Sequence, residues 1–168
     1  MRYQSGSGLR YNEDDMLKTY VPEYEDLYFR KMMMEDEKTM SYNHAYGGCI
    51  PFPEKEWRNW YDAWVVNGQG KRAYRYLQND EGTFVGEIAY HIDAAGRCQA
   101  DVLIHSPFRG KGYGRKGLQM LCHMAKENGI KELYDEIAID NPSLSLFLKQ
   151  GFKEEFRDEE KVIVKKVL

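Results

Sequence analysis

The sequence predicts an α+β chain in α/β/α layers, with a mixed, mostly antiparallel twisted sheet of about six or seven strands, a central parallel strand pair and about four flanking helices. Three observations carry this prediction. A β-hairpin pattern spans Thr83 to Ile104, with alternating side chains on either side of Ala94-Ala95-Gly96. The stretch from Asp101 to Gly129 runs from a β-prone strand, through a loop with glycines at 110, 112 and 114, into a helical pattern. A β-rich run at Leu133 to Ile139 follows, and a helix crossing between it and Val102 makes those two strands parallel.

The length of 168 residues suits one domain, 1–168, within the ~100–200 residues usual for a domain. Residues 1–14, polar with Ser-Gly repeats, read as a loosely held lead-in with a short extended piece at Leu9 to Tyr11. The 24 Lys+Arg against 27 Asp+Glu give a net charge of −3, and aromatic residues make up 14%. That balance argues against disorder and against a general nucleic-acid binder. MRYQSGSG is polar and no apolar run approaches the ~20 residues of a membrane span. A cytoplasmic monomer or homodimer with no membrane partner is expected. Cys49, Cys98 and Cys122 lie far apart with no C-x-x-C pair, so neither a disulfide framework nor a metal site is expected.

Along the chain, Met16 to Val21 reads as a first strand. Pro22 then opens a helix that carries Tyr24, Leu27, Tyr28 and Met32 on one face and runs to about Met40. Tyr42 to Gly48 mixes hydrogen-bonding groups, aromatics and paired glycines, the composition of a binding loop, with a plain turn as the other reading. After Pro51-Phe52-Pro53, a helix puts Trp57, Trp60, Tyr61 and Trp64 on one aromatic face, best packed against a sheet. Lys71 to Gln78 and Thr83 to Asp93 are strand-like. A three-residue loop pairs Asp93 with Arg97, which sets Glu87 opposite Leu103, Ala89 opposite Asp101 and His91 opposite Gln99. Glu87, His91, Gln99 and Asp101 then share one sheet surface, implying a cleft or a solvated face. Phe84, Ile88, Tyr90, Ile92, Cys98, Ala100, Val102 and Ile104 form the core-like surface. The next helix buries Leu118, Leu121, Cys122 and Ala125 and stops at Asn128-Gly129. Ser143 to Lys149 is a short helix, and Phe152 to Phe156 with Lys161 to Val167 close the chain as a hairpin.

The glycine loop has its own chemistry. Bare backbone at Gly110, Gly112 and Gly114 lets N–H groups converge, the new helix adds its unpaired amides, and Arg109, Lys111, Arg115 and Lys116 surround the corner. Such a corner suits a ligand with more than one negative charge. Arg109-Gly-Lys-Gly-Tyr-Gly114 resembles the R/Q-x-x-G-x-G/A acetyl-CoA signature of the GNAT superfamily of N-acetyltransferases. Asp140 to Phe152 resembles that family's second signature, a short helix ending in Gly-Phe. With the β-hairpin before them, the resemblance covers most of the chain, roughly Met16 to the C-terminus.

The resemblance implies a GNAT-like fold and an acyltransferase moving an acetyl group from acetyl-CoA to a primary amine of a small molecule or peptide N-terminus, directly within a ternary complex and without metal. It implies donor contacts at Ile104, His105, Arg109, Gly110, Lys111, Gly112, Tyr113, Gly114, Arg115, Asn141, Ser143 and Phe147. The backbone of Val102 to His105 would pair with the pantetheine arm. Tyr42, Asn43, Tyr46 and Trp57 are expected on the acceptor side. Asp101, Glu87 and His91 are candidates for the base, alongside a water relay. Two positions depart from the family: Phe147 stands where many members have a Tyr acid, so that another group such as Tyr134, or water, protonates the thiolate or the thiolate leaves unprotonated, and the pantetheine-contacting Asn falls on Asp140, one before Asn141.

Two other classes remain. A non-catalytic acyl-CoA-binding sensor is motivated by Phe147. Gly112-Tyr-Gly114-Arg-Lys-Gly117 formally matches a dinucleotide fingerprint, but a hairpin precedes it and Asp140 lies too far on for a dinucleotide-binding oxidoreductase.

Overall fold

A computed structural model describes residues 17–168; the expected lead-in and its extended piece lie outside them. Strand β1 (Leu17–Tyr20) leads through a 3-10 turn (Tyr24–Asp26) to α1 (Leu27–Glu35), then through a second 3-10 turn (Ser41–Tyr46) to α2 (Glu54–Tyr61). There follow β2 (Arg72–Asn79), β3 (Phe84–Ile92), β4 (Cys98–Ile104), α3 (Tyr113–Glu127), β5 (Glu132–Ala138), α4 (Ser143–Lys149), β6 (Lys153–Arg157) and β7 (Lys161–Val167). The sheet has seven strands in the order β1-β2-β3-β4-β5-β7-β6, and β4–β5 is its parallel pair. One parallel pair in an antiparallel meander is not the doubly wound sheet that dinucleotide binding requires.

Helices cover both faces. Leu118, Leu121 and Ala125 of α3 pack on Ile88, Ala100, Leu133 and Val162. On the other face Leu27, Met33 and Trp57 pack on Tyr74, Tyr76 and Leu103. This second core lies beside the polar surface of β3 and β4, where Glu87 and Asp101 line a cavity and His91 and Gln99 do not.

The β3–β4 register is the expected one, with Glu87↔Leu103, Ala89↔Asp101 and His91↔Gln99. The Asp93 carboxylate fixes the loop by accepting from the N–H groups of Ala95 and Arg97 at 2.9 and 3.0 Å. Phe84 departs from the expected surface. The β2–β3 register shifts between Leu77 and Gln78, so that Leu77 opposes Gly86 and Gln78 opposes Phe84. The skipped Val85 turns into the α3-side core, and Phe84 turns to the other face against Phe29 and Tyr76.

Helix α1 is rotated from its expected phase. Tyr28 and Met32 are 56% and 44% exposed, whereas Leu27, Phe29, Met33 and Met34 are buried. Its first turn is 3-10, which advances the chain by a larger angle per residue and moves every later side chain around the axis. It also ends at Glu35 rather than Met40, because Asp36 is extended and its carboxylate accepts from the Thr39 N–H and hydroxyl and from Ser106 Oγ.

Candidate active site

Strands β4 and β5 pair at Gln99↔Tyr134 and diverge beyond it. The gap is a groove of about 360 Å³ with Val102, Leu103 and Ile104 along one wall, Asn141, Pro142, Ser143 and Leu146 along the other, and Gly110 to Gly114 at its end. Gly110 and Gly112 have φ of 77° and 84°, left-handed values that glycine adopts without strain. The Lys116 N–H to Gly112 carbonyl bond, 3.1 Å, is the first of α3. The amides of Tyr113 and Gly114 precede it and have no intrahelical acceptor. A strand edge thus leads into a corner of backbone donors at a helix N-terminus, suited to an extended ligand with an anionic end.

Of the residues expected around this groove, Arg109 lines it, whereas His105 and Phe147 do not. The Arg109 guanidinium turns back and donates to the carbonyls of Ile104, Lys38 and Thr39 at 3.1, 3.1 and 2.6 Å, tying the loop to the end of α1. Its planar fork satisfies carbonyls at the end of β4 and in the turn that follows α1. His105 spends its N–H on Val85, and its ring packs edge-on against Phe29 at 5.9 Å. Burial, with the Arg109 charge, pushes its pKa down, so the ring is neutral. Phe147 is 2% exposed and lies edge-on to Phe152 at 4.9 Å; its neighbour Leu146 faces the groove. The seven-residue α4 turns position 147 inward. Asn141, rather than Asp140, lines the groove, and its Oδ1 accepts from the Ser143 N–H at 2.9 Å. Asp140 instead meets His44 Nε2 at 3.0 Å in solvent. Tyr134 donates to Glu132 at 3.2 Å and lines neither cavity.

A second cavity of about 190 Å³ opens on the α1–α2 side, lined by Arg30, Tyr42, Trp60, Trp64, Glu87 and Asp101 among others. Tyr42, Val102 and Leu103 line both spaces, so the two cavities meet there. Glu87 is 6% exposed and fully committed: both its oxygens accept from Arg30 Nη1 at 2.8 and 2.9 Å, and the Tyr74 hydroxyl donates to Oε2. Arg30 lies over the Trp60 ring at 4.4 Å. Desolvation would lower the Arg30 pKa, but the Glu87 charge prevails and raises it; burial and the same charge raise that of Tyr74. Glu87→Gln leaves the Arg30 charge buried and uncompensated, and is expected to destabilise the protein by about 3–5 kcal/mol in chemical denaturation.

Asp101 has neither hydrogen bond nor ion pair to another described residue. Asp101 is exposed to the open cavity; the protein crowded around it, then the Glu87 charge, raise its pKa above the ordinary carboxylate value, against pulls from His91 and Arg30. His91 is outside the cavity lining, edge-on to Trp64 at 5.7 Å, with a buried Nδ1 that has no partner. Of the acceptor-side residues, Tyr42 and Asn43 line the cavity. Tyr46 points out to Glu136 at 3.1 Å, and Trp57 is buried with its indole N–H on the Phe52 carbonyl at 3.0 Å. Trp60 and Trp64 line the cavity in place of Trp57; Trp64 lies in a π turn (Asp62–Val66) that continues α2 and changes the phase of this last aromatic. Arg30 and Tyr74 were not anticipated; the signal was a lone charge in the apolar stripe of α1.

No group of three or more His, Cys, Asp or Glu able to hold a metal occurs among the described residues, and no helix there is long and apolar enough to cross a membrane. No curated protein sequence matches the chain. Among solved structures, it resembles a spermidine N-acetyltransferase from Vibrio cholerae in complex with CoA and spermine (16% identity, 90% of this chain and 95% of that one, TM-score 0.76). It also resembles an N-acetyltransferase from Staphylococcus aureus Mu50 (18%, 90% and 98%, 0.72). A third is the PaiA N-acetyltransferase from Thermoplasma acidophilum in complex with coenzyme A (18%, 90% and 99%, 0.65). These likenesses concern the fold. The model of the acetyltransferase (GNAT) domain matches residues 16–153, and with the split β4–β5 pair and glycine-capped α3 in place, the chain belongs to the GNAT acetyltransferase family.

Proposed function

We propose that this chain transfers an acetyl group from acetyl-CoA to a primary amine, directly within a ternary complex. The observation that carries the reading is the meeting of the two cavities at Tyr42, Val102 and Leu103, one ending in backbone amides and the other holding an uncommitted carboxylate. The groove fits the donor: Gly110 and Gly112 have no atom within 4 Å of a would-be Cβ, so that space is open to a diphosphate. Gly110 to Gly114 would hold the diphosphate, and the backbone of Val102 to Ile104 would align the pantetheine arm. Acetyl-CoA, when bound, supplies the acetyl group and leaves as free thiol.

The chain's own work is proton transfer and orientation. Asp101 accepts the proton of the incoming ammonium, its raised pKa bringing it closer to the working pH than an ordinary carboxylate. Glu87, neutralised by Arg30, holds the wall of the cavity. Tyr42 is the phenol that lines both spaces; burial first, then the Asp101 charge, raise its pKa and keep the hydroxyl protonated, so it can hydrogen-bond to the departing sulfur in place of the family Tyr that Phe147 replaces. As it passes its proton to the sulfur, it regains the second proton that the amine nitrogen loses when the tetrahedral intermediate collapses. Tyr42→Phe is expected to lower kcat about 10- to 100-fold, with the amine KM little changed, in a thiol-release assay. The overall reading is tested by calorimetry with CoA and by mass spectrometry of amine products; binding without any acetylated amine would leave a non-catalytic CoA-binding protein.

A further inference from the structure

We infer that the acceptor is a compact, apolar or aromatic monoamine bearing one positive charge and no carboxylate; this rests on the acetyltransferase reading above. The acceptor cavity, about 190 Å³, is close to the ~150 Å³ that accommodates benzene in a protein interior and below the ~300–1,000 Å³ of drug-sized pockets. Beside the polar groups of Tyr42 and Asn43, its walls include Met34, Met40, Ile50, Trp60 and Trp64, with the two indoles stacked at 6.0 Å. Such a lining recognises a ring or short branched chain.

Charge narrows the class further. Arg30, Glu87 and Asp101 carry the charge among the described lining residues. Arg30 and Glu87 neutralise each other at 2.8 Å, and Tyr74 takes a further place on Glu87. Among the lining residues Asp101 is left to match a cation, and it matches one; Asp135 of β5, whose carboxyl burial and then the Asp101 charge push toward the protonated form, stands outside the lining. A polyamine would bring further ammonium groups against a lining that offers no second unpaired carboxylate. An α-amino acid would bring a carboxylate beside Asp101, while the guanidinium that could receive it is bound to Glu87 and lies on Trp60.

The test compares three amines on the full chain with acetyl-CoA. These are 2-phenylethylamine, L-phenylalanine, which adds a carboxylate to the same skeleton, and spermidine, which adds charges. The expected kcat/KM for 2-phenylethylamine exceeds both others by at least about 10-fold. Trp64→Ala is expected to raise its KM about 10-fold with CoA affinity intact. Equal or faster turnover of spermidine or phenylalanine overturns the acceptor assignment and leaves the acetyltransferase reading standing. No acetylation of any amine by a CoA-binding protein overturns both.

Discussion

Asp101→Asn is expected to lower kcat/KM for the amine by about 100- to 10,000-fold at neutral pH, the range of a lost general base, while the dissociation constant for CoA stays the same. The pH profile gives the sharper signature. Because the pKa of Asp101 is raised in the folded protein, the rate rises with pH as this carboxyl loses its proton, over a range above that of an ordinary carboxylate. Below that range the protonated group cannot accept the ammonium proton. Asn removes this limb and leaves the ionisation of the amine itself. Stability separates a catalytic from a structural role. A carboxyl with a folded pKa above its unfolded value binds its proton more tightly in the native state, so its contribution to stability falls as pH rises between the two values. At neutral pH the charged form burdens the fold, and Asp101→Asn is expected to melt no lower than the parent. A variant that unfolds easily, or keeps the acidic limb, would remove Asp101 from the mechanism.

Gly112→Asp is expected to weaken CoA binding by about 100-fold or more while the protein still folds. Gly112 is the N-cap of α3 at φ 84°, and nothing lies within 4 Å of the Cβ it lacks. Packing therefore does not oppose the new side chain. The left-handed backbone costs roughly 1–2 kcal/mol for a residue with a Cβ, and least for Asn and Asp. The Asp carboxylate would sit where the diphosphate belongs; two unit charges 4 Å apart at a protein surface repel by about 4 kcal/mol, reduced by salt. Gly112→Ala carries the strain without the charge and is expected to bind CoA between the two. Titration calorimetry with a thermal melt reads both quantities. An unchanged affinity would locate the phosphates elsewhere.

What the sequence revealed followed from local rules. Residues 83–104 alternate cleanly, and Asp93 caps its own loop, so the hairpin register, and with it the shared surface of Glu87 and Asp101, could be read directly. The glycine loop was legible because an anion corner is built from consecutive backbone groups. What escaped depends on distance in sequence or on helix phase. The Arg30–Glu87 pair joins residues 57 apart, and it turns Glu87 from a candidate base into a neutralised wall. A 3-10 start rotated α1, a π turn set the phase of Trp64, and one skipped residue sent Phe84 across the sheet. Arg109 lines the groove while its guanidinium holds three carbonyls. In each case the direction of the side chain was set by contacts that neighbouring residues in the sequence do not reveal.

The most direct measurement is a crystal structure of the chain with CoA. The expected density puts the diphosphate on the amides of Gly110 to Gly114, the pantetheine arm along Val102 to Ile104, and the sulfur where the two cavities meet beside Tyr42. CoA bound at another surface, or a pantetheine arm outside the gap between β4 and β5, would contradict the account.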